Sequence, residues 1–503
     1  MNYPFWDAPL GYGILTAGIA VLHVFISHFA IGGGFFLVVS ERAARRSGDS
    51  GRLEFLERLS RFFALATLVS GALTGVGIWF VIGLTNPAAV AVLIHNFIWI
   101  WAIEWAVFIA EITAAILYFY GWRRMTPAGH MTIGWIYFVF AWLSLFFING
   151  ILTFMLTPGA WLATGRLWDG FFNPTFWPSL VIRTCICGML AGLYALLVAA
   201  FCKPAPVKAR MARLSSRWGL LGLAATLPAL YWYWRAIPAA VTTAALQGLP
   251  TPMQALRYSY WFAGCIAALL LVFGLILARR LHAIVAALIM AAGLGWFGSF
   301  EWFRESIRKP YVIAGYMYGN GVEVADAAIY QKDGYLPHIL YRSEDDLADL
   351  FRHACRSCHT MQGYKALKPA FEGTDRAFIA AIIRGAHLLR GNMPPFYGTA
   401  AEADYIAAYI DHRLDQRSLA TLSGLQGVSL GKKVFEIRCG KCHPMGGRSD
   451  KTKTLAGLTG EDYRNILDNA ATLGAGMPAF TASETDRNAL IEYLKTLKAG
   501  EEK

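Results

Sequence analysis

The chain has 503 residues, of which 56% are hydrophobic, 16% are charged and 17 are tryptophan, and its formal net charge is +12. Its apolar runs reach or exceed the roughly 20 residues that a helix needs to cross a bilayer, so we interpret it as a membrane protein. The positive charge does not call for a nucleic-acid partner, because no nucleic-acid motif is present and much of the charge falls between the apolar runs.

Eight apolar segments predict eight transmembrane helices within residues 1–310. They are residues 12–39, 62–83, 96–120, 132–156, 180–201, 218–234, 258–278 and 281–303. The predicted fold class is all-α: a polytopic membrane helix bundle of about eight transmembrane helices, followed by two small α-helical domains.

Basic residues alternate sharply between the connections and predict the orientation of the bundle. The first, third, fifth and seventh connections are rich in Lys and Arg, including Arg42, Arg45, Arg46, Arg123, Arg124, Arg279 and Arg280. The second connection has neither residue, the fourth has Arg166, and the sixth has an arginine at each end, Arg235 and Arg257. Basic connections face the cytoplasm, so the N-terminus and the C-terminal part are predicted to lie on the outer face.

Ionisable residues inside the spans are costly in hydrocarbon and are therefore candidates for function. His23 and His28 lie in the first span, Glu104 and Glu111 in the third, and Arg183 near the outer end of the fifth. A second group, Glu301, Arg304, Glu305 and Arg308, lies around the outer end of the eighth span.

Glu104 and Glu111 are seven residues apart, which places both on one helix face. That face could line a proton route or a cofactor pocket. For each residue alone, an interhelical hydrogen bond or a structural salt bridge is the alternative interpretation.

Residues 311–342 carry a glycine-rich run and a Lys332-Asp333-Gly334 turn, and they predict an irregular linker on the outer face. Tyr311, Tyr316 and Tyr318 in this linker predict an aromatic belt at the membrane interface.

Two motifs beyond the linker indicate covalent haem. Cys355-Arg-Ser-Cys358-His359 and Cys439-Gly-Lys-Cys442-His443 have the spacing that fixes a haem through two thioethers, with the histidine as iron ligand. The alternatives for a single such motif are chance and a zinc site.

The two motifs belong to one repeated unit, since a shift of 84 positions aligns them without a gap. The same shift aligns Met393-Pro394 with Met477-Pro478, which makes Met393 and Met477 the predicted second axial ligands. This pattern resembles small class I c-type cytochromes, and we predict such domains at 343–420 and 421–503. Helices are predicted before each motif, at 347–354 and 430–438, and at the end of each unit, at 402–414 and 484–497.

Haem attachment to such motifs takes place outside the bacterial cytoplasmic membrane, in agreement with the charge pattern. We therefore predict a multi-pass protein of the bacterial cytoplasmic (inner) membrane, with the cytochrome domains on the periplasmic side and 311–342 as a periplasmic linker.

Residues from 1 to about 315 resemble subunit I of the cytochrome bd family of quinol oxidases. The segment from Leu22-His23 to Ile31-Gly32 is similar to the family segment whose histidine binds an active-site haem, and the resemblance implies that role for His23. His28 falls where the family needs no ligand.

Two further segments carry the resemblance. Ile103-Glu104-Trp and Ala110-Glu111, ahead of Gly121-Trp122-Arg123-Arg124, resemble the family's acidic pair, which implies that Glu104 and Glu111 serve the oxygen-reacting haem and its proton supply. The run Glu305-Ser-Ile-Arg308-Lys-Pro310-Tyr311 resembles the family's haem-binding Glu and charge-neutralising Arg, which implies those roles for Glu305 and Arg308.

The chain departs from the family at its third haem. The expected histidine position in the fifth span reads Ile182-Arg183-Thr184, the seventh span has no methionine, and the quinol-site loop is shortened to about 236–257. We infer that the quinol-side haem is lost, and that Arg183 either clamps haem propionates or forms a structural salt bridge.

The predicted function is that of a membrane-bound haem oxidoreductase. Its cofactors would be two covalent haem c groups and two noncovalent haems of b or d type. A periplasmic donor would reduce the c haems, electrons would pass to the buried pair, and dioxygen would be reduced to water. Nitric oxide as acceptor fits the same site.

The alternative is a membrane-anchored dihaem c electron-transfer subunit without oxygen-reductase activity. The resemblance also implies a second membrane subunit, besides contacts with membrane lipid. The lysines near the second motif, Lys432, Lys433, Lys441, Lys451 and Lys453, could steer an acidic donor or form a solvated face.

Overall fold

A computed structural model describes residues 8–239, 241–242, 250–390, 392–445, 450–474 and 477–497. The membrane part is built from helices in chain order. They are α1 Tyr12–Ser47, α2 Ser50–Ala64, α3 Ala72–Thr85, α4 Pro87–Asn96, α5 Ile98–Gly121, α6 Pro127–Phe154, α7 Trp161–Thr164, α8 Leu167–Phe171, α9 Phe176–Ala200, α10 Ala205–Ala236, α11 Pro250–Leu269 and α12 Ala283–Arg308. The π-helix Leu65–Gly71 joins α2 to α3, the π-helix Leu270–Ile276 extends α11, and the 3-10 turn Ala278–Arg280 precedes α12.

Among the described residues, seven helices are long and apolar enough to cross a membrane, by length and composition. They correspond to seven of the eight predicted spans. The remaining one, 218–234, lies on α10, a continuous helix of 32 residues. Its outer half carries Tyr231, Trp232, Tyr233 and Trp234, and such rings have low hydropathy although they suit the membrane interface.

Local capping explains where several of these helices begin and end. Gly48 ends α1 in the left-handed conformation with φ 66°, and Asp49 then accepts from the Arg52 N–H to begin α2. Asn86 and Thr126 cap α4 and α6 in the same way, and each is followed by a proline in the first turn.

Helix α9 is the centre of the bundle. In its most apolar window 72% of the residues are buried, against 6% for the α2–α3 rod. Small residues allow the close packing: a Cβ built on Gly32 of α1 would lie 1.8 Å from the Cys187 carbonyl oxygen, and one on Gly222 of α10 would lie 2.4 Å from the Met189 nitrogen. The membrane core therefore forms around α9, and α3 and α5 lie at its edge.

The segment after α12 is short and irregular. Strand β1 Tyr311–Ile313 pairs antiparallel with β2 Met317–Tyr318, and helix Ala327–Asp333 follows. The Ala314 N–H donates to the Met155 carbonyl at 2.9 Å, and Tyr316 packs on Trp161 with ring centroids 5.1 Å apart. This segment thus lies against the C-terminal end of α6 and against α7.

The C-terminal part repeats its helices at the interval of 84 residues seen in the sequence. Helices Lys368–Phe371, Arg376–Arg384 and Ala400–Asp411 recur as Thr452–Leu455, Gly460–Asp468 and Glu484–Lys495. The helix before each motif is Asp346–Ala354 in one copy, and Gly427–Val434 with the π-helix Phe435–Cys439 in the other. We call Asp346–Asp411 the first repeat and Gly427–Lys495 the second repeat.

An aromatic pair joins the first and last helices of each repeat. Phe351 stacks on Tyr409 at a centroid distance of 4.5 Å, and the equivalent Phe435 and Tyr493 are 5.7 Å apart. The two repeats are therefore two copies of one fold, as the alignment of the motifs predicts.

Candidate haem centres

The first haem motif forms a tight turn at the end of helix Asp346–Ala354. The His359 N–H donates to the Cys355 carbonyl at 2.9 Å, which brings the histidine back beside the cysteines. The His359 Nδ1 lies 3.0 Å from the Lys365 carbonyl, and a proton on Nδ1 leaves the lone pair on Nε2 for iron. Burial lowers the pKa of His359, which favours the neutral imidazole that a metal requires.

The second motif has the same turn. The His443 N–H donates to the Cys439 carbonyl at 2.8 Å. Burial raises the pKa of Cys355 and of Cys439 to about 12. Within the described ranges no three His, Cys, Asp or Glu side chains gather as ligands of a metal ion. The geometry therefore fits covalent haem better than a zinc site.

Met393 and Met477 lie in equivalent loops between helices, and both are half-buried. Phe396 and Phe480, which follow them, pack on the hydrophobic cores of their repeats. Each loop is therefore held against its own repeat. The axial role of both methionines stays a prediction.

His23 is half-buried on α1 and faces α3. Its Nδ1 lies 3.1 Å from the Thr74 hydroxyl oxygen, and that hydroxyl donates to the Ser70 carbonyl at 2.7 Å. Because the hydroxyl has one proton to give, it accepts from a protonated Nδ1, and the lone pair of His23 is on Nε2. This is the arrangement of a histidine prepared to bind iron.

His28 is 2% exposed, and its Nδ1 lies 2.8 Å from the Val24 carbonyl. Its Nε2 is buried without a hydrogen-bond partner in the described part of the chain. The sequence resemblance gave His28 no role, yet it has the same free Nε2 as His23. The position of His28 in the sequence does not show that its side chain is buried.

Arg183 on α9 pairs with Glu301 on α12. The Arg183 guanidinium is 3.1 Å from the Glu301 carboxylate, and Glu301 also accepts from Arg304 at 2.8 Å. The structure thus contains the salt bridge that the sequence left as one alternative for Arg183. Two guanidiniums share one carboxylate, and the buried Arg183 Nε has no partner among the described atoms, so the cluster has an unbalanced positive charge suited to a propionate.

Glu305 and Arg308 lie together at the C-terminal end of α12. Glu305 is bonded by Arg308 and lies 2.8 Å from the Lys309 ammonium. A Cβ built on Gly319 would lie 3.7 Å from the Cys358 sulfur and 3.8 Å from the Lys309 nitrogen. Lys309, which pairs with Glu305, and Cys358 of the first haem motif therefore both lie close to Gly319.

The two acidic residues of α5 face α6. The Ser144 hydroxyl donates to Glu104 at 2.8 Å, and the Tyr137 hydroxyl is 3.4 Å from Glu111 and 2.9 Å from the Ala30 carbonyl. Both carboxyl groups thus have hydroxyl partners on α6, and neither forms an ion pair with a Lys or Arg within the described part of the chain. The pairing resembles a proton path more than a structural salt bridge.

A buried polar cluster that the sequence did not single out lies at the other end of these helices. Glu41 is fully buried and accepts from Arg45 at 2.7 Å, from Tyr118 at 2.8 Å and from His130 at 2.9 Å. In the sequence Glu41 lies next to several arginines, so it reads as part of an exposed charged connection. The sequence signal that could have identified it as buried is its position at the end of an otherwise apolar span.

The repeats dock in series on the membrane part. Arg356, between the cysteines of the first motif, donates to the Ala8 carbonyl and lies over the Tyr12 ring. Lys441, between the cysteines of the second motif, donates to the Ala370 carbonyl of the first repeat at 2.6 Å. Lys441 is thus engaged in docking, and a role of the lysines near the second motif in steering a donor stays a prediction.

A membrane helix bundle with buried histidines and carboxylates, joined to two haem-attachment motifs, defines a membrane-bound haem oxidoreductase. Residues 14–233 match the family described as cytochrome bd terminal oxidase subunit I. Residues 342–410 and 426–494 each match the family described as cytochrome C oxidase, cbb3-type, subunit III. The membrane part of the chain therefore matches the cytochrome bd subunit I family over residues 14–233, and the tail has two matches to a cytochrome c family.

The structure is similar to that of the bd oxidase from Geobacillus thermodenitrificans. The TM-score is 0.52 at 16% sequence identity, over 63% of this chain and 90% of the other. This likeness shows a shared fold. A search of curated proteins finds no match. Glu305 and Arg308 lie beyond the matched residues 14–233, so their roles depend on the local motif and on the contacts described above.

Proposed function

We propose that the chain is the haem-carrying subunit of a bd-like terminal oxidase that takes electrons from a cytochrome c-type donor in place of quinol. The observation that carries this proposal is the proximity of the first haem motif to the C-terminal end of α12. Cys358 and Lys309 both lie close to Gly319, and the Lys309 ammonium is 2.8 Å from the Glu305 carboxylate. A covalent haem and a noncovalent haem held at these positions would be neighbours.

Four groups of residues would hold the cofactors. Cys355, Cys358, His359 and Met393 would hold one haem c, and Cys439, Cys442, His443 and Met477 the other. His23 and Glu305 would bind the noncovalent b or d haems, with Arg183 and Arg308 balancing their charge. When bound, the haems supply electron transfer and oxygen binding.

The carboxyl groups of α5 would hold and deliver protons. An electron added to a site of low dielectric is costly unless a proton follows it. Glu111 meets the Tyr137 hydroxyl, and Glu104, two turns earlier on α5, meets the Ser144 hydroxyl. We assign Glu111 to the supply of protons and Glu104 to their delivery beside the oxygen-reacting haem.

Two exposed surfaces, the second repeat and the apolar edge at α3 and α5, indicate the kinds of partner that the protein binds. The second repeat docks on the first and is the outermost unit, so we assign the docking of a periplasmic redox partner to it. At the membrane edge, Leu73 of α3 is 73% exposed and Trp99 of α5 is 72% exposed. This apolar edge suits a second membrane subunit or lipid. The proposed location is the bacterial inner membrane with the repeats in the periplasm.

The experiment is a reduced-minus-oxidised spectrum of the purified full chain with and without carbon monoxide, combined with oxygen consumption driven by reduced cytochrome c. We expect a carbon monoxide-binding high-spin haem in the wild type. Both signals should be lost in His23→Ala and in Glu305→Ala, and both should persist in His95→Ala, which changes an exposed histidine at the end of α4. A wild-type spectrum with low-spin c haems alone would overturn the proposal.

The second candidate is a membrane-anchored dihaem c electron-transfer subunit without oxygen chemistry. The observation that favours it is that the Glu305 carboxylate is engaged by both Arg308 and Lys309. A carboxylate bonded by two cations is less available to iron. The spectrum just described separates the two functions, because this candidate has no carbon monoxide-binding haem.

A further inference from the structure

A basic groove lies at the end of the bundle remote from the cytochrome repeats. It has a volume of about 560 Å³ and runs between the end of α1 and the start of α6. Arg42, Arg45 and Arg46 line one side, and Ala128, Thr132 and Trp135 line the other. None of these residues belongs to the candidate haem centres.

The three arginines occupy one face of α1, because residues three and four apart are neighbours on a helix. Arg45 is held in place by the fully buried Glu41 at 2.7 Å. Arg42 and Arg46 are exposed, and neither has an ion pair or hydrogen bond within the described part of the chain. The groove therefore contains one fixed guanidinium and two that are available to an anion.

The start of α6 adds positive potential to the opposite side. Thr126 caps this helix of 28 residues by accepting from the Gly129 N–H, and Pro127 has no N–H to offer. The Ala128 N–H is left at the positive end of the helix dipole, beside the groove. A phosphate group placed there meets the guanidiniums of Arg42 and Arg46 and the N-terminus of α6. Guanidiniums and helix N-termini are usual partners of phosphate.

The groove also continues onto an apolar surface. Trp135 packs against Phe35 at a centroid distance of 6.0 Å, and Phe35 stacks on Phe138 at 4.7 Å. Arg42 is 30 residues from the start of α1, about 45 Å along the axis, which is beyond a hydrocarbon core of roughly 30 Å. The guanidiniums thus reach the headgroup layer, and the aromatic surface points back toward the acyl chains.

We infer that this groove binds an anionic phospholipid, with the phosphate on Arg42, Arg45 and Arg46 and an acyl chain along Trp135 and Phe138. A free phosphate ion would use the guanidiniums but not the aromatic surface. A zwitterionic lipid would add an ammonium group where the protein is already positive. The groove therefore selects a lipid with net negative charge.

The test is native mass spectrometry of the purified full chain in detergent, titrated with cardiolipin, with phosphatidylcholine or with inorganic phosphate. We expect cardiolipin to bind in preference to phosphatidylcholine. The double variant Arg42→Gln/Arg46→Gln should weaken cardiolipin binding roughly 30-fold, since each basic residue near an anionic surface contributes about 1 kcal/mol. The matched control is Arg279→Gln/Arg280→Gln, which removes two exposed arginines outside the groove.

A second variant separates charge from shape. Thr132→Trp fills the groove without removing an arginine, and we expect it to weaken cardiolipin binding as well. Haem absorbance of each variant reports that it has folded. Equal cardiolipin binding by the groove variant and its control would overturn the inference. So would equal binding of phosphatidylcholine, or displacement of cardiolipin by millimolar inorganic phosphate, which would indicate a free-phosphate site.

Discussion

Three histidines of this protein share a hydrogen-bond arrangement that fixes which nitrogen is available. His23, His28 and His359 each have Nδ1 next to an oxygen: the Thr74 hydroxyl, the Val24 carbonyl and the Lys365 carbonyl, respectively. In every case the lone pair is left on Nε2. Because a ligand that is already oriented loses little freedom on binding, these contacts matter as much as the presence of a histidine.

This reasoning gives a prediction for Thr74, which touches His23 but not the proposed iron. Thr74→Val keeps the shape of the side chain and removes the acceptor for Nδ1. We expect noncovalent haem affinity to fall by about 10- to 100-fold, as for other partners of metal-binding histidines. Haem content by pyridine haemochrome measures the effect. Thr67→Val is the control, since the Thr67 hydroxyl bonds only the Phe63 carbonyl of its own helix. Equal haem content in both variants would contradict the role of Thr74.

The two methionines give a second prediction at this scale. Replacing Met477 by histidine would change a His/Met haem to a His/His haem, and the reduction potential of that haem should fall. A spectroscopic redox titration should show one c haem shifted and the other unchanged. Met393→His should shift the other haem. A titration curve identical to the wild type would mean that Met477 is not a ligand.

At the scale of elements, the two haem motifs are also docking surfaces. Between its two cysteines, the first motif has Arg356 and the second has Lys441. Arg356 donates to the Ala8 carbonyl of the membrane part, and Lys441 donates to the Ala370 carbonyl of the first repeat. Carbonyls that accept from cations form stronger hydrogen bonds than neutral pairs. The segment that attaches a haem thus also fixes the position of its repeat.

Arg356→Gln should therefore loosen the first repeat from the membrane part without unfolding it. The Tyr364 N–H, which donates to the Leu10 carbonyl at 3.0 Å, reports on this contact. We expect its hydrogen exchange to become roughly tenfold faster, given the strength of a charged hydrogen bond. The control is Arg384→Gln, which breaks an exposed pair with Asp404 inside the repeat. Exchange at Tyr364 that is the same in both variants would show that Arg356 does not dock the repeat.

His353 gives a pH prediction for the first repeat. Burial lowers its pKa to about 4, and its Nε2 is buried without a partner among the described residues. The unfolded chain takes up this proton near pH 6.5, so stability is complete above that pH and is lost as the pH falls toward 4. The melting temperature, followed by haem circular dichroism, should drop between pH 7 and pH 5.

His353→Phe should reduce this pH dependence, because a neutral ring keeps the contact with Tyr335, whose ring centroid is 5.1 Å away. His387→Phe, which changes an exposed histidine of the same repeat, should leave it as in the wild type. If the melting temperature of His353→Phe falls between pH 7 and pH 5 as steeply as that of the wild type, the acid sensitivity belongs to other groups.

At the scale of the whole molecule, three units follow one another in space as they do in the sequence. The membrane part, the first repeat and the second repeat are linked by Arg356 and Lys441 and have separate hydrophobic cores. Separate cores allow the repeats to be added to an existing membrane fold without disturbing its packing. The family resemblance of each part is therefore preserved in the combined chain.

This arrangement predicts a haem stoichiometry. Pyridine haemochrome analysis of the full chain should give two c haems to two noncovalent haems. A third noncovalent haem would contradict the interpretation of Arg183, because we predict that this residue replaces a histidine ligand, and an arginine cannot bind iron at ordinary pH. A preparation with no noncovalent haem would support the electron-transfer subunit instead.

Features that depend on short stretches of sequence could be predicted from the sequence. The haem motifs, their repeat at 84 residues and the helix before each of them are local patterns, and they recur in the structure. Seven spans follow from apolar runs, since a helix satisfies its own backbone hydrogen bonds wherever it lies in the membrane. The family of the membrane part was predicted from three short motifs.

Only the tertiary structure decided which charged groups meet. Arg183 and Glu301 are 118 residues apart, and Arg356 reaches a carbonyl 348 residues away. Such pairs depend on how helices and repeats pack, and no local pattern encodes the partner. The same holds for the Glu41 cluster and for the groove between α1 and α6. A sequence determines where helices form and where haem is attached, because both are local, whereas the distances between buried charges are set by the packing of the whole chain.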